Sequence, residues 1–412
     1  MKKLKPELLA PAGSWGALTT AVTYGADSVY FGIKGMNMRH MADNFDVSEL
    51  KKVMDYLHDK KKKGYLTLNT IVMDSELNKV KAILRSAKTA KVDAVILWDM
   101  AVFSMARELG LNIHLSTQAS VSNIEAIKVF AKLGAKRVVL ARECTLKDIR
   151  EIIKAMKHNK IHCEVEAFIH GAMCVSISGR CFLSELSFGK SANKGKCLQP
   201  CRREFIIKDT DGESEYIIGK DYVLSPKDLC AIDFLDEMME AGIHAFKIEG
   251  RMRAPEYLMV TTSVYRHAID SYFSKGLTSG PKKKLKERLK TVYNRGFSSG
   301  FYFGHPQDAR SRGLEHVYEK IFLGEVTRFF KKISVAEVRI RSGKLRLKDQ
   351  LLFIGKTTPA NVCFIGEMQQ EQKNVKEVKK GEIVGVKLPF IVKPKDKVFL
   401  WRKKKRSIVH DR

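Results

Sequence analysis

A barrel of eight parallel strands wrapped by helices, followed by a small all-β unit, is the fold this sequence predicts. Three observations predict it. Up to about residue 250, a helix-like stretch ending in Gly or a polar residue is followed, again and again, by a short apolar run. Those runs are continuous rather than alternating, as strands covered on both faces are. From about Lys320 the texture changes to short β-like segments interrupted by Gly and Pro,. A doubly wound open sheet is the alternative for the first part.

The strand candidates, in order, are Glu7–Pro11, Gly25–Gly32, Tyr65–Asn69, Lys91–Trp98, Ile113–Thr117, Gly134–Ala141, Glu164–Ile169 and Gly242–Glu249. Amphipathic segments such as Val47–Lys61, Glu76–Ala90, Asn123–Leu133 and Leu146–Lys157 separate most of them. Eight such units suggest a (β/α)8 barrel over residues 1–319, whose functional groups gather at the C-terminal ends of the strands. Those ends carry Asn69, Thr70, Asp99, Ser116, Thr117, Gln118, Arg142, Glu143, His170, Glu249 and Arg251. Any one of them can simply cap a helix; their placement on one rim is the stronger signal. The bridge Gly280–Glu319 reads as a turn-rich aromatic stretch without a clear long helix. Residues 320–412 read as a basic small β-barrel, with Ser334–Arg341 and Gln350–Ile354 among its strands.

The chain has 412 residues, with 74 Lys plus Arg against 46 Asp plus Glu, a net charge of +28. Residues 320–412 hold 24 of the basic and 9 of the acidic side chains, and they close on Trp401-Arg-Lys-Lys-Lys-Arg406. Such an excess attracts phosphate through Coulomb force and counterion release, so a nucleic acid is the expected partner. The composition supports a sizeable core and excludes a wholly disordered chain. No apolar run reaches a membrane span, and Met1-Lys-Lys-Leu-Lys-Pro-Glu carries no apolar leader, so the expected setting is the cytoplasm.

The connection after the seventh strand, about 171–225, is far longer than a normal barrel loop. It holds Cys174, Cys181, Cys197 and Cys201, with Cys230 just beyond it. In a reducing compartment such clustering points to metal or to chemistry. Structural zinc favours two short Cys knuckles, and only Cys197-Leu-Gln-Pro-Cys201 has that form. A redox disulfide lacks its Cys-x-x-Cys. An iron–sulfur cluster tolerates less regular spacing. A nucleophilic pair of Cys174 with His170, four residues before it, and a metal-free loop also stay open. The excursion's glycines let backbone approach sulfur, and Arg180, Lys194, Lys196, Arg202 and Arg203 offset thiolate charge. No Gly-x-Ser-x-Gly elbow, His-Glu-x-x-His helix, P-loop or dinucleotide fingerprint is present.

Several stretches are shared with one family. Glu166-Ala-Phe-Ile-His-Gly-Ala-Met-Cys174 and Ser178-Gly-Arg-Cys181-Phe-Leu-Ser184 closely resemble the signature of the collagenase-like peptidase family U32. Pro6–Ser14, Tyr24–Gly32, Ala42–Phe45, Lys247-Ile-Glu-Gly-Arg251 and Asn294-Arg-Gly-Phe297 resemble its other motifs, in order, over roughly residues 6–304. The resemblance implies a barrel with a 4Fe–4S cluster held by Cys174, Cys181, Cys197 and Cys230. Cys201 also matches a frequent family cysteine, which leaves the choice between Cys197 and Cys201 open. It implies oxygen-independent hydroxylation, with prephenate as hydroxyl source. The appended β-unit, also similar to the second-domain barrel of elongation factors, implies the branch forming 5-hydroxyuridine at the tRNA wobble position. The family's protease name supplies a second expectation, and a non-catalytic RNA-binding factor a third.

For that chemistry Arg39, Arg142 and Arg251 are the candidate carboxylate clamp, since bidentate guanidinium suits a dianion. Glu166, His170 and Glu249 are the candidate proton-transfer groups, with a buried ion pair to Lys247 or a helix cap as the alternative. The RNA is expected along the basic C-terminal unit, its target base stacked near Tyr302 or Phe303.

Overall fold

The computed structural model describes residues 4–203, 226–304 and 316–404, with the backbone of two short paired strands, Phe205–Lys208 and Glu215–Ile218, between the first two blocks. The remainder of the excursion up to residue 225, and the end of the basic tail beyond Lys404, lie outside the described residues.

All eight expected strands form: β1 (Glu7–Ala12), β2 (Ser28–Gly32), β3 (Lys63–Leu68), β4 (Ala94–Leu97), β5 (Ile113–Leu115), β6 (Ala135–Val139), β7 (Glu164–Gly171) and β8 (Ala245–Ile248). Each pairs in parallel with the next, and β8 bonds both β7 and β1, so the sheet closes. Closure excludes the open-sheet alternative. No described helix is long and apolar enough to cross a membrane.

The helices follow their apolar spacing. The helix α2 (Leu50–Asp59) buries Leu50, Val53, Met54 and Leu57, one stripe laid on the sheet,. The helix α6 (Leu146–His158) starts on a reciprocal cap, in which Asp148 N–H donates to Thr145 Oγ1 at 3.2 Å and Thr145 N–H to Asp148 Oδ2 at 2.9 Å,. Asp99, one of the rim residues, caps α4 (Met100–Glu108) by accepting from the N–H of Ala101 and Val102.

The barrel's two faces differ. Outward side chains such as Leu8, Val29, Leu66, Val95, Val138 and Phe246 form the large core beneath the helices. Inward, Leu9, Tyr30, Tyr65, Ala94 and Ile96 make a small separate cluster. The rest of the lumen is polar. Glu166 is fully buried there, with Lys247 Nζ at 2.8 Å and Arg137 Nη1 at 3.2 Å. Arg137 also reaches Glu7 at 3.0 Å and Glu164 at 2.6 Å.

After β7 the chain leaves the rim and crosses the mouth. Its return strand, Asp228–Cys230, lies antiparallel to the end of β7. The excursion is stitched to four other loops. His40 N–H donates to Gly195 O at 3.1 Å and Ile71 N–H to Asn193 O at 3.3 Å. Ser120 and Ser178 share a 2.9 Å hydroxyl bond, and Ser178 N–H reaches Glu143 Oε1 at 3.4 Å. Gly195 sits at φ +78° with Asn37 O where a Cβ would be, so only glycine permits this approach,.

The helices Pro255–Ser274 and Ser279–Leu289 follow β8. The second corrects the expectation of a bridge without a clear helix. Pro281 falls in its first turn, where no backbone N–H is needed,. From Tyr318 an antiparallel eight-stranded sheet and a two-stranded ribbon curve into a half-barrel around Leu323, Val338, Leu351, Phe353 and Val398. It docks on the barrel's first helix, α1 (Trp15–Thr23): Ala360 N–H donates to Thr20 Oγ1 at 2.9 Å, and Tyr24 Oη donates to Ala360 O at 3.0 Å.

Candidate active site

Between the strand ends and the excursion lies a cavity of about 320 Å³. Its floor is Tyr30, Thr67, Ile96, Phe168 and Lys247, and its roof carries Cys174, Cys181, Cys197 and Cys201. All eight cysteines are free thiols.

The three candidate arginines all reach this cavity. Arg39 grips Glu249, with Nη2 and Nε at 2.7 and 3.1 Å from one carboxylate oxygen. Burial works to raise the Glu249 carboxyl, but Arg39, then Arg142 and Arg251, outweigh it and hold it at about 2,. Arg251 is buried and bonds neutral groups, Asn37 Oδ1 at 2.8 Å and Thr67 Oγ1 at 2.7 Å. Burial, and then its neighbour Arg39, lower it to about 10. Arg142 lies 4.0 Å over the Phe168 ring and donates to Ala172 O at 2.7 Å. Neither Arg251 nor Arg142 forms an ion pair among the described residues, so the cavity presents cationic donors with capacity for an anion.

The proton-transfer candidates separate. Glu249 lines the cavity. Glu166 lies below it, spent on Lys247 and Arg137. His170 is off the cavity wall, packed among Tyr257, Tyr265 and Phe297, with Nδ1 at 3.2 Å from Tyr265 Oη. Burial, and then Arg253, lower His170 to about 3, which keeps the ring neutral. Glu166 and His170, four residues apart, would share a face on a regular strand. The pairing of β7 with β8 shifts register, however, so that Phe168 and His170 meet the successive residues Lys247 and Ile248. This irregularity turns His170 to the packed exterior while Glu166 points into the lumen. Tyr302 is also structural, buried and bonded to Phe168 O at 2.6 Å, whereas Phe303 stays exposed beside Phe234.

The cysteines divide in a way the expected ligand set does not. Cys174, Cys181 and Cys197 share the roof with Cys201. Burial raises the Cys201 thiol, and charge on the other three raises it further. Cys230 is buried elsewhere, its sulfur 3.8 Å from Tyr265 Oη. Among the described residues no three His, Cys, Asp or Glu side chains converge on a point that would hold a single metal ion. That arrangement disfavours mononuclear zinc. A four-iron cluster carries its thiolates on separate corners, farther apart than the ligands of one ion, and an all-thiol roof over a cationic cavity fits that donor chemistry.

Sequence reasoning passed over several cavity residues. Arg253 lies 3.9 Å over the Tyr293 ring, and Arg295 Nε donates to Tyr293 Oη at 3.3 Å. Burial works to raise that phenol, but Arg295 and Arg253 prevail and leave it below its ordinary 10. Their signal was adjacency to Arg251 and to the Asn294-Arg-Gly-Phe297 motif.

The sequence model of peptidase family U32 matches residues 13–312. The chain belongs to peptidase family U32. It is 46% identical over 401 residues to an uncharacterized protease of Methanocaldococcus jannaschii, covering 96% of this chain and 98% of that one. It is 37% identical to a collagenase of Porphyromonas gingivalis, covering 97% and 98%. It is 34% identical to tRNA hydroxylation protein P1 of Bacillus subtilis, covering 85% and 84%.

The Arg39–Glu249 pair predicts acid sensitivity. The folded carboxyl sits at about 2 against an ordinary 4.5, so the unfolded chain binds the extra proton between those values,. Stability present above pH 4.5 is therefore lost as pH falls through that window. Thermal denaturation followed against pH gives a falling midpoint for the native chain and a flatter profile for Glu249→Gln. Identical profiles would show that the pair contributes nothing.

Proposed function

We propose that this U32-family chain is an iron–sulfur-dependent RNA hydroxylase that converts the tRNA wobble uridine to 5-hydroxyuridine, with prephenate supplying the hydroxyl. The observation that carries the reading is the cavity itself, a thiol roof facing the buried Arg251 and the partly buried Arg142, neither of which has an ion-pair partner among the described residues. The relative named for tRNA hydroxylation supports the substrate, as does the net charge of +28,.

Cys174, Cys181, Cys197 and Cys201, which share the cavity roof, would hold a cluster; the family resemblance gives Cys174, Cys181, Cys197 and Cys230, with the choice between Cys197 and Cys201 open. When bound, the cluster supplies redox or Lewis-acid chemistry. The chain's own residues do the rest. Arg251 and Arg142 bind the two carboxylates of the co-substrate. Arg39 keeps Glu249 ionised and oriented at the cavity wall. The Tyr293 hydroxyl, flanked by Arg253 and Arg295, lines the same cavity as a further polar group. The excursion covers part of the mouth and so limits water access to these interactions,.

The collagenase-named relative favours a peptidase as the second reading. No nucleophile–base pair supports it among the described residues, because His170 is bonded to Tyr265 rather than to Cys174.

Mass spectrometry of tRNA nucleosides tests the proposal. A deletion strain lacks 5-hydroxyuridine, and this chain restores it. Arg251→Ala lowers kcat/KM by about a hundredfold, mostly through KM for the carboxylate, because a positioned guanidinium is lost. Unchanged nucleosides in the deletion strain would overturn the proposal.

A further inference from the structure

Part of the excursion lines the cavity and part of it faces solvent. Ser176, Ser178, Cys181 and Leu183 line the cavity. Ile177, Arg180 and Phe182 face solvent between them, Ile177 being 66% exposed and Phe182 70%. Leu186, one helical turn after Phe182, is 83% exposed,. Exposed large apolar side chains gathered at one place on a protein mark an interaction surface.

Charge identifies the partner. Residues 172–203 carry six Lys or Arg and one acid, Glu185; Lys194 pairs with Glu76 and Arg202 lines the cavity, which leaves Arg180, Lys190, Lys196 and Arg203 exposed. One of those cations, Arg203, lies 4.4 Å over the ring of the partly exposed Phe188. A protein partner would gain from this charge only if its own surface were acidic. A single-stranded nucleic acid gains from both, since its bases stack on apolar and aromatic faces while its phosphates meet cations.

We infer that Phe182 and Leu186 form a stacking platform, at the cavity mouth, for the bases that flank the target nucleotide in unpaired RNA. The cysteine-rich excursion would then serve twice, its inner side facing the cofactor and its outer side holding the substrate strand. This rests on the RNA-hydroxylase reading and names where that substrate is gripped.

The test is fluorescence anisotropy on the full chain with a uridine-rich single-stranded RNA and a blunt RNA duplex of equal length. The Phe182→Ala, Leu186→Ala double variant weakens single-strand binding about tenfold, within the range for losing a stacked base, and leaves duplex binding and the slope of affinity against salt unchanged. Phe182→Tyr, which keeps the ring, retains native affinity. Both side chains are exposed, so an unchanged melting curve controls for folding. The inference is overturned by unchanged single-strand binding in the double variant, by equal loss on duplex, by absence of single-strand binding in the native chain, or by a native oligomer that the double variant splits, which would make the patch a protein interface. If binding depends on Phe182 while the deletion strain's nucleosides are unchanged, the platform stands and the hydroxylase reading falls. If the nucleosides change but binding ignores Phe182, only the platform falls.

Discussion

Replacing Cys181 by alanine abolishes, together, the broad absorbance near about 400 nm of the anaerobically reconstituted protein and the formation of the hydroxylated nucleoside. Cys181 is placed to have this effect. It shares the cavity roof with three other thiols, and its backbone N–H is fixed by Asn193 Oδ1 at 3.1 Å, so its position is set by the fold of the excursion. With a cluster held by these four thiols, removing one would leave an iron without its protein ligand and weaken the protein's hold on the cluster. The partial exposure of Cys181 makes the fold tolerant of the change, so loss of absorbance with a melting temperature equal to that of the cluster-free native chain is the expected pair of observations,. Retained absorbance in this variant would remove the cluster from the excursion altogether. Hydroxylation that survives the loss of absorbance would separate the cluster from the reaction.

Replacing Glu166 by alanine lowers the unfolding free energy by about 3–5 kcal/mol, as removal of one partner from a buried ion pair does. The carboxylate is fully buried between Lys247 at 2.8 Å and Arg137 at 3.2 Å. Arg137 keeps Glu7 and Glu164 as partners. The Lys247 ammonium has Glu166 as its ion-pair partner, and burial already pulls its pKa below the ordinary 10.5. The loss therefore falls on Lys247. The double variant Glu166→Met, Lys247→Met recovers much of the stability, because no unpaired charge is left in the lumen. Denaturant unfolding of the three proteins measures this. An alanine variant that melts like the native chain but loses activity would instead return Glu166 to a role in proton transfer.

Much of the architecture was legible because it is local. Each apolar run bounded by Gly or polar residues became a strand, and each amphipathic segment between them became a helix, since burial on both faces demands continuous apolar sequence. The excursion was legible for the opposite reason: its length and its cysteines fit no ordinary barrel loop. The bridge helix Ser279–Leu289 was missed because Gly280 and Pro281 read as a turn, although both are tolerated in a helix's first turn,.

The sequence by itself therefore determined the closed parallel barrel, the rim on which function gathers and the thiol-rich cover above it. Only the tertiary structure decided which rim residues meet. Arg39 grips Glu249 across 210 positions of chain, and Arg251 reaches back 214 positions to Asn37. It also decided that Glu166 turns into the lumen, that His170 turns away, and that Cys201 rather than Cys230 shares the roof with the other thiols. The reason is geometric. In a closed barrel both faces of every strand are buried, so hydropathy cannot tell an inward charge from an outward one, and closure alone brings distant strand ends to a common centre.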